Sequence, residues 1–175
     1  MSKTSKFLSR ILRHEPELAG LSLGPGGWVP VADLLRGLRR AGYRITPDEL
    51  HCIVATNDKQ RFTLSSDGQR IRAAQGHSIA VDLNLEPIKP PDTLFHGTAR
   101  ASLDAIFRDG LKPGRRRHVH LSPDHATAMK VGARHGRPVV LRVDTTTMHA
   151  DGHLFYRSDN GVWLANHVPP EYLGF

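Results

Sequence analysis

The sequence predicts an α+β protein of two lobes, on three observations. Residues 3–56 hold three stretches with apolar residues at helical spacing, followed by two alternating runs joined at Asp67-Gly68. A proline-bearing, apolar-poor stretch over 75–93 then interrupts the pattern. Beyond it, short strand-like runs dominate and helical spacing occurs at two places, which suits a small, largely antiparallel sheet. A length of 175 residues accommodates two small domains. The expected boundaries are 1–74 for the first lobe, 75–93 for a linker and 94–175 for the second lobe.

The first helix is expected over 3–14, with Phe7, Leu8, Ile11 and Leu12 on one stripe and Pro16 stopping it, because a residue before proline avoids helical geometry. Gly24-Pro25-Gly26-Gly27 reads as a turn, and Trp28-Val29-Pro30-Val31 leads into a second helix with Leu34, Leu35 and Leu38 inward. Thr46 has the chemistry of an N-cap for a third helix, with Pro47 in its first turn, Glu49 completing a capping box, and Leu50, Ile53 and Val54 inward. Arg61–Leu64 and Gln69–Ala73 form a hairpin through Ser66-Asp67-Gly68. Three short helices and a hairpin are the winged-helix order, with Arg61, Arg70 and Arg72 on the wing. After the linker come a strand at Leu94, a helix over 101–109 with Leu103, Ile106 and Phe107 inward, a strand at His118, a helix over 124–135, and strands at 138–143, 153–157 and 161–164.

Composition narrows the function classes. The net charge is +7 and the pI about 10.1, which favours a polyanionic partner. Residues 1–91 hold 13 Lys+Arg against 9 Asp+Glu and the remainder 11 against 8, so the excess is shared and is not a basic tail. The single cysteine, Cys52, excludes an internal disulfide and a cysteine-based zinc site. No apolar run reaches the roughly 18 residues of a membrane span and no signal-type core follows the N-terminus, so a cytoplasmic protein without membrane contact is the default expectation. A monomer is the default oligomeric state. No G-x-G-x-x-G follows a strand, which argues against a Rossmann domain.

Chemistry concentrates at 94–122. Leu94-Phe95-His96-Gly97-Thr98 ends an apolar run with an imidazole, a glycine that lets backbone approach a ligand, and a hydroxyl. His118 and His120 are two apart and share a strand face. Either segment alone is equally well a polar strand end. In the first helix Arg10, Arg13 and His14 lie side by side and suit a phosphate, although a solvated basic face at a helix C-terminus accounts for them as well. Arg115-Arg116-Arg117 reads as a basic turn able to guide phosphate or RNA.

Five motifs in order, spanning nearly the whole chain, resemble the RNA 2′-phosphotransferase family (KptA type): Ser9-Arg10-x-Leu12-Arg13-His14, Asn57-Asp58-Lys59-x-Arg61-Phe62, Leu94-x-His96-Gly97-Thr98, His118-Val119-His120-Leu121-Ser122, and Tyr156-Arg157-Ser158-x-Asn160-Gly161-Val162-Trp163. The resemblance implies a winged-helix RNA lobe followed by a lobe of the ADP-ribosyltransferase type that binds NAD+ as co-substrate. It implies removal of an internal RNA 2′-phosphate, of the tRNA splice-junction type, in two steps. The 2′-phosphate displaces nicotinamide from the ribose C1″ to give ADP-ribosylated RNA. The ribose O2″ then attacks phosphorus, giving ADP-ribose 1″,2″-cyclic phosphate and RNA with a free 2′-OH. The matching catalytic set is Arg13, His14, Arg61 and Arg157, and His96, Gly97, Thr98, His120, Leu121, Ser122 and Val162 are the implied NAD+ contacts. No metal is expected.

The chemistry suits that set. A phosphate monoester has a second pKa of about 6, so near neutral pH it needs no general base but does need positioning and balanced charge. Guanidinium donors can stabilise charge building on phosphoryl oxygens in the second step. Protein-modifying members of the wider superfamily place a Glu near Val162 to activate an acceptor, and Gly161-Val162-Trp163 has none, as a dianionic acceptor allows. Three rivals stand beside this expectation. A metal-dependent hydrolase built on His118, His120 and His125 or His153 is disfavoured, because the His118-Val119-His120 run carries none of the carboxylates that catalytic metal sites usually recruit. A non-enzymatic winged-helix nucleic-acid binder leaves the histidine-bearing lobe idle. An ADP-ribosyltransferase acting on terminal phosphates of nucleic acids would use the same arginines.

Overall fold

The computed structural model describes residues 2–79 and 81–175. Met1, in the expected first lobe, and Ala80, in the expected linker, lie outside the described residues. The chain is α+β and forms two compact units, Met1–Asn84 and Leu85–Phe175, with the division inside the proline-bearing 75–93 stretch.

In the first unit, α1 (Lys3–Arg13) starts at Ser2, whose hydroxyl accepts from the Ser5 N–H, and buries Leu8, Ile11 and Leu12. A 3-10 turn over Pro16–Ala19 follows it. β1 (Val29–Pro30) leads directly into α2 (Val31–Arg40), where Leu34 and Leu38 are fully buried and Leu35 half-buried. α3 (Pro47–Thr56) is capped by Thr46, whose oxygen accepts from the Glu49 N–H at 3.1 Å and whose hydroxyl donates to the Glu49 carboxylate at 3.3 Å. β2 (Phe62–Leu64) and β3 (Arg70–Ala73) form the expected hairpin, and Asp67 sets its turn by accepting from Ser65 Oγ and the Gln69 N–H. β1 adds a third strand, giving the antiparallel order β1-β3-β2 with Val29 opposite Ile71 and Phe62 opposite Ala73. The helices and sheet close over one apolar core that includes Leu8, Leu12, Leu34, Leu50 and Ile71. Arg72 lies on the hairpin as expected and is buried there: its guanidinium lies 4.5 Å from the Trp28 ring and donates to the carbonyls of Gly26 and Leu83.

The second unit holds β4 (Leu94–Ala99), α4 (Leu103–Asp109), β5 (Val119–Leu121), α5 (His125–Ala133), β6 (Pro138–Val143), α6 (Thr145–Ala150), β7 (Phe155–Arg157), β8 (Trp163–Ala165) and β9 (Leu173–Gly174). They build two antiparallel sheets, β4-β6-β9 and β5-β8-β7. Paired backbone bonds of 2.8 Å between Phe95 and Ser122 join β4 to the end of β5. Asp124 caps α5 by accepting from the Thr127 N–H and hydroxyl, and Asp144 caps α6 in the same way through Thr147. The unit has three helices rather than the two expected, because α6 is a six-residue, threonine-rich segment with weak helical spacing that its cap sustains. Phe107, expected inward on α4, is 38% exposed with its ring 5.5 Å from that of Phe175.

Candidate active site

The first unit presents Arg13 and His14 from the end of α1. His14 is the C-cap, its N–H donating to the Arg10 carbonyl at 2.9 Å. A segment more than sixty positions later holds this end. The Ser78 N–H donates to the Arg13 carbonyl at 3.0 Å, and Ser78 Oγ lies 2.7 Å from His14 Nδ1. Gly76, at φ +88°, lies against the Arg13 side chain so closely that a Cβ there would sit 3.4 Å from Nε.

Between Gly76 and Ser78, His77 is 2% exposed, and its Nε2 has no hydrogen-bond partner among the described residues. Burial, and then the positive charges of Arg13, His14 and Arg72, push its pKa down to about 4. The folded protein therefore keeps His77 neutral where the unfolded chain protonates it. That linkage leaves stability intact above the unfolded value near 6.5 and removes it as pH falls toward 4. The loss is about 2 kcal/mol by pH 5 and about 3 kcal/mol in full. We expect His77→Gln to flatten the difference in urea-unfolding free energy between pH 7 and pH 5 by that amount. An unchanged difference would show that His77 is protonated in the fold.

Arg61 is fixed separately, just after α3. Its N–H donates to the Asn57 side-chain oxygen at 3.0 Å, and Nη1 approaches that oxygen and the Asp58 carboxylate at 3.5 Å each. The Asn57-Asp58-x-x-Arg61 spacing thus has a local purpose: the residue capping α3 holds the arginine that opens the hairpin.

In the second unit the Phe95–Ser122 bridge places His96, on β4, beside His120, on β5. His96 Nδ1 lies 2.9 Å from the His120 carbonyl, which only accepts, so Nδ1 carries the proton and Nε2 is left as an acceptor. Burial, opposed by that carbonyl and reinforced by the charge of His135, lowers the His96 pKa and keeps the ring neutral. His120 has the opposite tautomer. Arg116 Nη1 donates to its Nδ1 at 2.7 Å, so the neutral ring carries its hydrogen on Nε2. An acceptor and a donor nitrogen on adjoining strands match ribose hydroxyls or an amide, which offer both functions. Thr98 is buried on β4, and Leu121 is 1% exposed within the core, so it faces a ligand through its backbone at most.

Gly97 is packed rather than open. A Cβ there would lie 1.7 Å from the Ala128 carbonyl oxygen and 2.8 Å from the Gly132 nitrogen, both on α5. The close approach that this glycine permits is therefore between β4 and α5.

Arg157 ends β7, and its guanidinium lies over Gly161, where a Cβ would be 3.5 Å from Nη2. Buried Ser158 shapes the turn: its oxygen accepts from the Val162 N–H at 3.1 Å, and its N–H donates to the Val162 carbonyl at 2.8 Å. Arg157 and half-buried Val162 thus flank one tight turn. Among the described residues no three His, Cys, Asp or Glu side chains form a group able to hold a metal, and no helix is long and apolar enough to cross a membrane.

Sequence alone assigns no anchoring role to Asn57, Ser78, Arg116 or Ser158. Asn57, Arg116 and Ser158 stand inside or beside motifs and were in reach of such an assignment, whereas Ser78 sits in an unpatterned stretch with no signal of its own.

Comparison with known proteins agrees across the chain. The family model described as RNA 2′-phosphotransferase, Tpt1 / KptA family, matches residues 1–167. A protein of Agrobacterium fabrum named "Probable RNA 2′-phosphotransferase" is 57% identical over 170 residues, covering 97% of this chain and 91% of its own length. Proteins of the same name from Hahella chejuensis and Streptomyces coelicolor are each 56% identical over 173 residues, covering 99% of this chain and 93% and 94% of their own. With its histidine pair, its anchored arginines and this likeness over its full length, the chain belongs to the Tpt1/KptA family of RNA 2′-phosphotransferases.

Proposed function

We propose that this chain removes an internal 2′-phosphate from RNA, of the kind left at a tRNA splice junction, with NAD+ as co-substrate. Family membership supplies the reaction class. The observation that carries the NAD+ assignment is the opposed tautomers of His96 and His120, a matched acceptor and donor on adjoining strands. NAD+ supplies an electrophilic ribose carbon with nicotinamide as leaving group. His96 and His120 hold it together with Thr98, Ser122, Val162 and the backbone at Gly97 and Leu121.

Arg13 and His14 position the 2′-phosphate, which at neutral pH is already a competent nucleophile. Arg61 and Arg157 supply fixed positive charge to the phosphoryl oxygens as charge builds on them. The first step needs no general base, because the phosphate is already ionised; in the second, the proton of the ribose 2″-hydroxyl passes to the leaving RNA 2′-oxygen, and no metal enters this scheme. The first unit, Met1–Asn84, serves as a winged-helix RNA lobe, the expected 1–74 segment supplying its three helices and β1-β3-β2 sheet. Within the expected 75–93 linker, residues 75–84 belong to this unit, and the chain then continues into an ADP-ribosyltransferase-like lobe over 94–175, supported by two small antiparallel sheets joined at Phe95–Ser122. The protein works as a cytoplasmic monomer.

The test is incubation with NAD+ and a short RNA bearing one internal 2′-phosphate, followed by mass spectrometry. We expect loss of the phosphate, release of nicotinamide and appearance of ADP-ribose cyclic phosphate. RNA that gains ADP-ribose only at a terminal phosphate would replace this assignment with nucleic-acid ADP-ribosylation. Unchanged RNA and NAD+ would remove it.

A further inference from the structure

We infer that Ser78 is a positioning residue for 2′-phosphate transfer, clamping the end of α1 so that Arg13 and His14 meet the phosphate in one fixed arrangement. The inference rests on the function proposed above. It starts from the weakness of a helix end, where the last carbonyls lack intrahelical partners and the final turn frays. Arg13 and His14 sit at that end, and both side chains have to hold a phosphate steady. Misplacement by about 1 Å costs such a step about a hundredfold.

Ser78 answers both needs at once. Its N–H takes the Arg13 carbonyl at 3.0 Å, pinning the backbone between the two residues. Its Oγ, 2.7 Å from His14 Nδ1, fixes the rotation of the ring. The neighbours of Ser78 make the clamp rigid. Gly76, at φ +88°, packs under the Arg13 side chain, with Nε and Cζ 3.4–3.5 Å from its Cβ position, and His77 is sunk into the unit against Gly27. A serine 64 positions from His14 makes this contact only in the folded unit, and Ser78 itself is exposed, so its hydroxyl is not needed to fill the core.

The experiment compares parent, Ser78→Ala and Ser78→Thr in the full chain, with NAD+ and the short 2′-phosphorylated RNA. Alanine is expected to lower kcat about ten- to a hundredfold while KM for NAD+ and the melting temperature stay at parental values. Threonine, which keeps the hydroxyl, is expected to restore most of the loss. A parental kcat in Ser78→Ala, or a loss that threonine does not recover, would overturn the clamp. The imidazole 15N shifts of His14, assigned with a His14→Gln variant, give a readout independent of turnover. They are expected to move in Ser78→Ala, and static shifts would overturn the inference. An inactive parent would instead count against the proposed function, leaving these shifts to decide the clamp.

Discussion

Gly97→Ala is expected to destabilise the second unit by about 3 kcal/mol or more, at the upper end of what an added methyl costs a packed interior. The new Cβ would stand 1.7 Å from the Ala128 carbonyl oxygen and 2.7 Å from its carbon, both backbone atoms of α5. No flexible side chain is there to yield, so β4 and α5 would have to separate. Gly132 repeats the arrangement from the other side, since a Cβ there would lie 2.8 Å from the Thr98 carbonyl oxygen. Two facing glycines thus let a helix lie directly on a strand. Gly174→Ala is the control: nothing lies within 4 Å of its Cβ position, and a change within about 0.5 kcal/mol is expected. Urea unfolding followed by circular dichroism checks both. A Gly97→Ala protein of parental stability that no longer binds NAD+ would return this glycine to the role its place between His96 and Thr98 suggests, close approach to a ligand.

That contrast shows where sequence stops being informative. Features governed by neighbours a few positions away were legible. The stripe of Leu8, Ile11 and Leu12, the Thr46 cap, the Asp67 turn and the strand through Leu141 all follow from local spacing and chemistry. Features made by distant pairing were not. β1 is two residues long and contains a proline, and it is a strand only because Val29 lies opposite Ile71. β9 exists through Leu173 opposite Val143. The candidate site divides in the same way. The residue types of Arg13, His14, His96 and His120 stand out in the chain, but their hydrogen-bond states do not. The tautomer of His96 depends on a carbonyl 24 positions away, and the setting of His14 on a serine 64 positions away in an unpatterned stretch.

Arg61→Ala is expected to separate the two proposed chemical steps. Arg61 contributes no part of the nucleophile, and its side chain is only 18% exposed, anchored beside the hairpin it opens. If its charge serves phosphoryl oxygens in the second step, removing it spares phosphate attack on NAD+ and slows resolution. ADP-ribosylated RNA then accumulates, and formation of 2′-OH RNA falls about 10²- to 10³-fold, the usual effect of removing one fixed donor to a developing oxyanion. Lysine is expected to rescue little, because a single ammonium does not reproduce a planar fork of donors. The neighbours grade the effect. Asp58 is 84% exposed and reaches Arg61 only at 3.5 Å, so Asp58→Asn is expected to act weakly, as exposed ion pairs do. Asn57 holds the Arg61 N–H at 3.0 Å, so Asn57→Ala is expected to fall between the two. Quenched time courses resolving substrate RNA, ADP-ribosylated RNA and product measure all four variants together. Equal slowing of both steps in Arg61→Ala would assign this arginine to holding the RNA phosphate from the start, alongside Arg13 and His14.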